Sequence, residues 1–411
     1  MKKLLCIILS AVCLFSVPAS ADTVPRSAPV FFEASFVQGW YCRDWTESQW
    51  TAELRAMREA GFRGLILQSA VDFTYEQTDN SKPKTDPSAF ACSAAYALYP
   101  SAAVSGSEDA HALADALAAA KETGMQIYIG TVSDDRWWNY GWGKPDADFS
   151  LWSAENAARN ADVIREVWAF YGAEYGAQIA GFYYYNEIWN IDAACAGTDD
   201  GAYAKTIGEN IRECVDAITE LCPEKPLIIS PFYNTDLSGS AEYGAFLRAI
   251  AEEAALRPQD VIAPQDGGGR NYTQDTILEW TDAVRYAVGD AVRYWVNNET
   301  FDADYTAKSM EQLRQDYLAS SAAEKHLLFS WNHYYHGSCD EDFAVLCRKM
   351  TGDVNADGIC SMADLIALRR FLFHDRIVLQ NWIAADLDGN SRLNAADLTL
   401  LKRALLADPT E

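Results

Sequence analysis

The chain has 411 residues, 49% of them hydrophobic and 12% aromatic, and a formal net charge of −26 at pH 7. This composition supports a large apolar core, whereas the negative charge disfavours nucleic acid, because phosphate binding requires Lys and Arg to release counterions. After the amino terminus no stretch approaches the ~20 consecutive apolar residues that span a bilayer, so we expect no membrane partner.

The amino terminus places Lys2 and Lys3 before an apolar run that ends in Ala19-Ser20-Ala21. This order is typical of a secretory signal peptide with an A-x-A cleavage site. We therefore predict that residues 1–21 are removed and that the mature protein is secreted and extracellular.

The cysteines beyond the predicted cleavage site are Cys42, Cys92, Cys195, Cys214, Cys222, Cys339, Cys347 and Cys360. An even number in a secreted chain permits disulfides, but the spacing selects no pairing. Buried free thiols remain an alternative interpretation.

Eight β-rich runs alternate with helical patterns between residues 30 and 350. The predicted strands are 31–38, 63–68, 126–132, 179–187, 226–232, 260–266, 291–299 and 325–332. Gly61 and Gly124 stand where two of the helices would end in left-handed caps. This alternation predicts a parallel (β/α)8 TIM barrel over residues 22–349, with its site at the carboxyl ends of the strands. The segment Ser69–Ser107 is too long for a simple connection, and we expect it to overhang the barrel mouth.

Two carboxylates end strands on opposite sides of the predicted mouth. The fourth strand runs into Asn186-Glu187 within YYYNEIWN, and the seventh ends at Glu299 within WVNNETF. Such a pair is what glycoside hydrolysis requires, since one carboxyl group must protonate the leaving oxygen while the other attacks the anomeric carbon or activates water. Taken singly, Glu187 would be a solvated strand end and Glu299 a helix-capping acid. Their joint position favours a catalytic pair.

An Asn-Glu after the fourth strand, a Glu after the seventh and a Trp after the eighth resemble the retaining glycoside hydrolases of clan A. The resemblance implies that Glu187 is the acid/base, Glu299 the nucleophile, Asn186 a donor to the sugar 2-hydroxyl and Trp331 the aromatic floor under the sugar. The stretches FFEASFVQGWYCRDWTESQW, GFRGLILQ and WVNNETF also resemble a family of secreted bacterial barrels, domain of unknown function 4434, which implies no substrate.

The second strand ends LILQSAVD and lacks the Arg that clan A members often carry there. Tyr233 and His333 are candidates for the supporting roles. Further polar or aromatic residues at the predicted mouth are Gln38, Trp40, Gln68, Asp134, Gln265 and Asp266, for which ligand contact and a structural role are equally favoured. The loop DDRWWNYGWG, residues 134–143, is either an aromatic platform for sugar units or a loop anchored by its own apolar residues.

The carboxyl-terminal region repeats a twelve-residue motif, DVNADGICSMAD from 353 and DLDGNSRLNAAD from 386. Oxygen ligands at positions 1, 3, 5, 9 and 12, with a backbone carbonyl at position 7, are typical of calcium loops. The predicted ligands are Asp353, Asn355, Asp357, Ile359, Ser361 and Asp364 in the first loop, and Asp386, Asp388, Asn390, Arg392, Asn394 and Asp397 in the second. Gly358 supplies the turn of the first loop, where the second has Ser391.

Each loop precedes a helix with a basic pair, and this duplication is similar to the type I dockerin. The resemblance implies that residues 350–411 form a dockerin that binds two calcium ions. It also implies that the partner is a cohesin module of a cellulosome scaffold. Met362-Ala363 and Ala395-Ala396 occupy the positions that set cohesin choice and differ from the frequent Ser-Thr pair. The helical pattern DFAVLCRKM runs almost directly into Gly352, so we predict restricted motion between the two modules.

The sequence thus favours a secreted, dockerin-borne glycoside hydrolase that acts, with retention and without a catalytic cofactor, on plant polysaccharide or oligosaccharide. A carbohydrate-binding barrel without catalysis is the first alternative, and a structural subunit is the second. The dockerin cannot separate these three, because it specifies where the protein docks and not what it does.

Overall fold

A computed structural model describes residues 29–84, 86–140, 147–191, 201–373 and 377–407. The predicted signal peptide 1–21, Cys195 and residues 141–143 of the aromatic loop lie outside the described residues. The strands are β1 Ala34–Val37, β2 Gly64–Leu67, β3 Val71–Gln77, β4 Phe90–Ala97, β5 Gln126–Gly130, β6 Val132–Asp134, β7 Ile179–Tyr184, β8 Leu227–Ile229, β9 Val261–Ile262, β10 Arg293–Tyr294, β11 Val296–Glu299 and β12 His326–Phe329.

The helices alternate with these strands and end the chain. They are α1 Gly39–Cys42, α2 Glu47–Glu59, α3 Ala112–Thr123, α4 Trp137–Tyr140, α5 Ala147–Tyr175, α6 Ala202–Leu221, α7 Ser240–Glu253, α8 Gln274–Val288, α9 Met310–Ala319, α10 Trp331–Tyr334, α11 Asp340–Met350, α12 Met362–Leu372, α13 Trp382–Ala385 and α14 Ala395–Ala407. Gly61 and Gly124 have φ of 102° and 71°, which confirms the predicted left-handed ends of α2 and α3.

One parallel sheet closes into a barrel. Its strand order is β10-β9-β8-β7-β5-β2-β1-β12-β11. The first and last strands of this order, β10 and β11, are separated in the chain only by Trp295, so together they fill one position of the ring. In chain order the eight positions are β1, β2, β5, β7, β8, β9, β10–β11 and β12, each at a predicted strand. The (β/α)8 fold is therefore confirmed.

Side-chain alternation divides the core into an inner and an outer layer, as it must in a closed parallel sheet. Phe36, Ile66, Tyr183 and Leu327 point into the barrel interior and pack with Trp295. The neighbouring strand positions face the helices and join a larger apolar cluster. Packing on both sides fixes the positions of the strand ends. Glu187, shortly after β7, and Glu299, the last residue of β11, are held at these ends.

The segment Ser69–Ser107 differs from the predicted long loop. It forms an antiparallel hairpin of β3 and β4, and β6 pairs with β3 to complete a three-stranded sheet. β4 is mostly exposed, so it lacks the hydrophobic alternation that identifies a strand. Arg136 and Arg159 lie over the rings of Tyr75 and Phe73, at 3.7 Å and 4.6 Å, and hold the hairpin on the barrel.

Asp134, a predicted mouth residue, belongs to the same anchor. It is fully buried, and its carboxylate accepts hydrogen bonds from Arg136 at 2.6 Å and from the Trp152 indole at 3.2 Å. A carboxylate satisfied in this way has a structural role.

The second module contains both calcium loops, α12, α13 and α14. Its apolar core is small and includes Val354, Leu368, Leu387 and Leu401. The seven cysteines in the described part of the chain are all free thiols, so the alternative of unpaired cysteines holds for them.

Candidate active site

A cavity of about 150 Å³ lies at the carboxyl ends of the barrel strands, and both predicted catalytic carboxyl groups line it. Drug-sized ligands occupy pockets of roughly 300–1,000 Å³, so this cavity suits one small ligand unit. Its walls are strongly aromatic. The lining residues are Gln68, Trp138, Tyr183, Tyr185, Glu187, Gln265, Asn297, Glu299, Phe301 and Phe329.

Glu187 follows β7 and is held by one amide. The Gln265 side-chain N–H donates a hydrogen bond to its carboxylate across the cavity. Burial raises the pKa of Glu187, because the charged form loses hydration, and the Gln265 hydrogen bond partly opposes the increase. The side chain is therefore suited to keep a proton to higher pH than an exposed Glu.

Glu299 ends β11 and is 8% exposed. Its Oε2 accepts the Gly269 backbone N–H at 2.7 Å. Burial, and after it the nearby Asp266 charge, raises the pKa of Glu299 to about 8. The Gly269 N–H and the Lys308 ammonium favour the ionised form and partly oppose this increase. Glu187 also contributes to the increase, because it places a second negative charge near Glu299.

Beneath Glu299 lies a buried charge cluster of Lys308, Asp266 and Asp316. Lys308 Nζ donates to Asp316 Oδ2 at 2.7 Å and to the Glu299 backbone carbonyl at 2.9 Å. Asp266 accepts the backbone N–H groups of Gly268 and Glu299 and the Asn298 amide. The carboxyl groups of Glu299, Asp266 and Asp316 thus share the one ammonium of Lys308, so they cannot all be ionised without a large electrostatic cost.

Sequence reasoning did not identify Lys308 or Asp316, because neither belongs to a recognisable motif. A usable signal was the run Gly267-Gly268-Gly269. A Cβ at Gly269 would lie 2.6 Å from the Phe301 ring, so the backbone approaches too closely for a side chain. This close approach accompanies the hydrogen bond from the Gly269 N–H to Glu299.

Of the predicted sugar contacts, Gln265 lies in the cavity but Asn186 does not. Asn186 is buried, and its amide donates to Asn156 Oδ1 at 2.8 Å and to the Tyr184 hydroxyl at 3.0 Å. Both of its N–H groups are therefore used within the protein. Asn297 lies in the cavity instead, with a buried Oδ1 that has no hydrogen-bond partner among the described residues.

The predicted aromatic floor is also placed differently. β12 ends at Phe329, so Trp331 falls beyond the strand in α10, where it is buried against Phe62 and stacked on His336. The aromatic side chain at the cavity from this strand is Phe329. The predicted strand 325–332 extends three residues beyond the observed end at Phe329. Trp331 lies in this excess, so its side chain does not follow the alternation of the strand.

Four further predicted contacts lie outside the cavity lining, namely Gln38, Trp40, Tyr233 and His333. Tyr233 is buried, stacks on Trp280 and donates its hydroxyl to the Asp266 carbonyl at 2.7 Å. Trp40 is 60% exposed and its ring lies 6.1 Å from that of His333. Gln38 is buried before α1, with an Oε1 that no described residue satisfies. Gln68 and Trp138 line the cavity as part of the predicted mouth.

The calcium loops show the geometry of a cation site. Asp386, Asp388 and Asp397 bring carboxylate oxygens within 4.8 Å of one another. In the first loop Asp353 Oδ1 is buried without a hydrogen-bond partner in the described chain, which leaves it available as a ligand. Both arrangements fit calcium, whose ligands are carboxylate and carbonyl oxygens.

The sixth residue of each loop has a left-handed conformation that glycine adopts more readily than other residues. Ser391 has φ of 62° at the position where Gly358 has φ of 89°. Ser391→Gly should stabilise the dockerin by about 0.5–1 kcal/mol, because the left-handed region costs an L-residue roughly 1–2 kcal/mol and glycine loses part of this gain through its unfolded-state entropy. Urea unfolding of the full chain in calcium measures the change. Gly358→Ser is the matched control, and a gain of stability in that variant would contradict the explanation.

No helix in the described ranges combines the length and apolar character needed to cross a bilayer. The fold and the cavity define a (β/α)8-barrel protein with paired carboxyl groups after its fourth and seventh strands, joined to a duplicated calcium-loop module. The chain belongs to the DUF4434 family, a domain of unknown function whose model matches residues 32–340. Residues 351–406 match the dockerin type I domain, which is a calcium-binding module.

Among solved structures, the chain is similar to a candidate alpha-L-fucosidase from Bacteroides thetaiotaomicron. The identity is 18%, the match covers 83% of this chain and 97% of the other, and the TM-score is 0.56. A beta-mannanase from the blue mussel Mytilus edulis matches at 12% identity over 80% of this chain and 93% of its own, with a TM-score of 0.44. The first similarity supports the barrel fold. No curated protein matches the chain.

Proposed function

We propose that this protein is a secreted glycoside hydrolase that cleaves an O-glycosidic bond with retention of configuration. The observation that carries the proposal is the presence of Glu187 and Glu299 in one small aromatic cavity, on the fourth and seventh strands. The assignment of retention follows the resemblance to clan A. A retaining mechanism requires carboxyl groups about 5–5.5 Å apart.

In the first step, Glu187 donates its proton to the leaving oxygen while a Glu299 oxygen attacks the anomeric carbon. In the second step, Glu187 takes a proton from water, and this water displaces Glu299 from the glycosyl-enzyme. Gln265 holds Glu187, and the Gly269 N–H holds Glu299, so that each carboxyl group is oriented before the substrate binds. The chemistry needs only these side chains and water.

The cavity favours a single sugar unit at the reacting position. Phe301, Phe329 and Trp138 supply apolar faces that suit sugar rings. The named activity of the similar structure from Bacteroides thetaiotaomicron, an alpha-L-fucosidase, is consistent with a carbohydrate substrate. We propose plant polysaccharide or its oligosaccharides.

The dockerin implies the location and the protein partner. We propose that residues 350–411 bind two calcium ions and dock onto a cohesin module, which would hold the enzyme in an extracellular cellulosome. The two ions belong to the ligand sets of the 353–364 and 386–397 loops.

The test is reducing-sugar release by the full-length mature chain across a panel of plant polysaccharides and aryl glycosides, with the anomer of the first product followed by NMR. The full chain is used because Ile383 and Ala384 of the dockerin belong to the apolar cluster of the barrel. Release with a retained anomer supports the proposal, and release with an inverted anomer removes the retaining assignment. Polysaccharide binding without release would favour the carbohydrate-binding alternative.

The pH dependence of kcat/KM should be bell-shaped, with a decrease above about pH 8. The reaction needs one proton and one negative charge on the Glu187–Glu299 pair. Both pKa values are raised by burial, and the higher limit comes from the value of about 8 for Glu299. The pair therefore holds a single proton in a window that begins above the ordinary Glu pKa and ends near pH 8. A profile still rising at pH 10 would contradict this account.

A further inference from the structure

Two barrel arginines reach the same position of the two calcium loops. Arg314, on α9, donates from Nη2 to the Ala356 carbonyl at 3.3 Å. Arg63, just before β2, donates from Nη2 to the Gly389 carbonyl. Ala356 and Gly389 are both the fourth residue of their loop, and both are left-handed, with φ of 60° and 65°. The barrel thus recognises the backbone conformation of both loops.

Arg314 also lies against the first ligand of the first loop. Its Nη2 is 3.5 Å from Asp353 Oδ2, and its side chain is only 18% exposed. The same Oδ2 accepts the Gly358 N–H, which leaves the buried Oδ1 for a cation. The position of Arg314 therefore depends on the loop conformation that calcium ligation requires.

The segment between the two loops is built into the base of the barrel. The buried Tyr317 hydroxyl donates to Asn381 Oδ1 at 3.1 Å, and the Trp382 indole donates to the Ala323 carbonyl at 3.1 Å. Ile383 and Ala384 join the apolar cluster of the barrel itself. A contact with a buried apolar centre and satisfied polar groups is the anatomy of a stable interface.

We propose that the base of the barrel is a binding surface for the calcium-loaded form of its own dockerin, so that calcium binding stabilises the barrel as well as the dockerin. A partner that binds only the folded state of a protein stabilises that folded state. Here the calcium-loaded dockerin is the partner and the barrel is the protein that it stabilises. Calcium fixes the loop carbonyls that Arg63 and Arg314 bind, and loss of calcium leaves the loop carboxylates to repel one another. Met362 and Ile366 remain 61% and 53% exposed on α12, so this helix stays accessible to a partner.

The experiment is thermal unfolding of the full-length mature protein, with calcium or with excess chelator, followed by tryptophan fluorescence. Trp382 is the one Trp beyond residue 350, so the signal reports the barrel. Chelation should lower the barrel transition of the wild type by at least about 2 °C. In Arg63→Met/Arg314→Met this calcium-dependent decrease should shrink to less than half.

The matched control is Arg165→Met/Arg248→Met, which removes two exposed arginines that pair with carboxylates of their own helices. The control should keep the full calcium-dependent decrease. Calcium titration calorimetry verifies that each variant still binds the ion. A wild-type barrel transition that does not change on chelation, or an interface variant with the full wild-type decrease, would overturn the proposal.

Hydrogen exchange on the wild type gives a second readout that depends on no substitution. Chelation should increase amide exchange in α9, which carries Arg314 and Tyr317, more than in α7, on another part of the barrel wall. Equal exchange in both helices would also overturn the proposal. None of these measurements involves sugar hydrolysis, so their outcome is independent of the proposed enzymatic function.

Discussion

Glu299→Gln should lower kcat/KM for the glycoside substrate by at least about 10³-fold. The Gln amide cannot form the glycosyl-enzyme, and the remaining contacts would bind the substrate without supplying a nucleophile. The variant should bind the unreacted oligosaccharide with an affinity close to that of the wild type, because the change is nearly isosteric. Steady-state kinetics and calorimetric binding separate these two effects.

Glu187→Gln should produce a different pattern. Loss of the general acid costs about 10²–10⁴-fold with a poor leaving group, but much less with an aryl glycoside whose leaving group needs no proton. Exposed Glu341→Gln on α11 is the control for the chemical change alone. If either cavity variant kept wild-type kcat/KM on a natural linkage while the control was also active, the catalytic pair would be wrong.

Neither Gln substitution should unfold the protein. Glu299 lies beside the buried Asp266, and its removal relieves a repulsion that raises its pKa. The melting temperature of Glu299→Gln should therefore equal or exceed that of the wild type. A marked decrease would show that lost activity comes from misfolding, and the kinetic comparison would then carry no weight.

Lys308→Met should lower the unfolding free energy by roughly 3–5 kcal/mol at pH 8, because it leaves buried carboxylates without their cation. The affected groups are Glu299, Asp266 and Asp316, with Glu187 farther across the cavity and the Tyr233, Tyr334 and Tyr335 hydroxyl groups nearby. The pKa of both Glu299 and Asp266 is raised by burial and partly lowered by Lys308. The substitution should therefore raise both further.

The sign of the pH dependence follows from these directions. Between the unfolded carboxyl pKa and the raised folded values, the folded state binds more protons than the unfolded state, so stability falls as pH rises. Lys308→Met raises the folded values and extends this fall, so its deficit should be larger at pH 8 than at pH 5. The alkaline limb of kcat/KM should move to higher pH for the same reason.

Lys308→Met/Asp316→Asn is the compensating variant, since it removes one of the carboxyl groups that lost its partner. It should recover part of the stability, whereas Asp316→Asn alone should not increase it, because Lys308 then loses its 2.7 Å ion pair. A Lys308→Met protein with unchanged stability at pH 8 and an unchanged alkaline limb would show that the ammonium does not act on Glu299.

Local signals in the sequence were sufficient for the barrel, the module order and the pair of carboxyl groups that line the cavity. The eight strands were predicted because parallel barrel strands are short, buried and separated by amphipathic helices. Glu187 and Glu299 followed from their place after the fourth and seventh strands. The calcium loops followed from ligand spacing within twelve residues, which the backbone fixes without long-range information.

Only the tertiary structure decided which side chains meet in the cavity. Asn186 follows Tyr185 by one residue and Trp331 follows Phe329 by two, and both Tyr185 and Phe329 line the cavity. The chain turns sharply at strand ends, so the sequence does not determine which way a side chain points there. The Lys308 cluster and the Arg63 contact with Gly389 join residues far apart in the chain. Periodicity and spacing report a residue's own element, whereas these contacts depend on how the closed ring brings separate elements together.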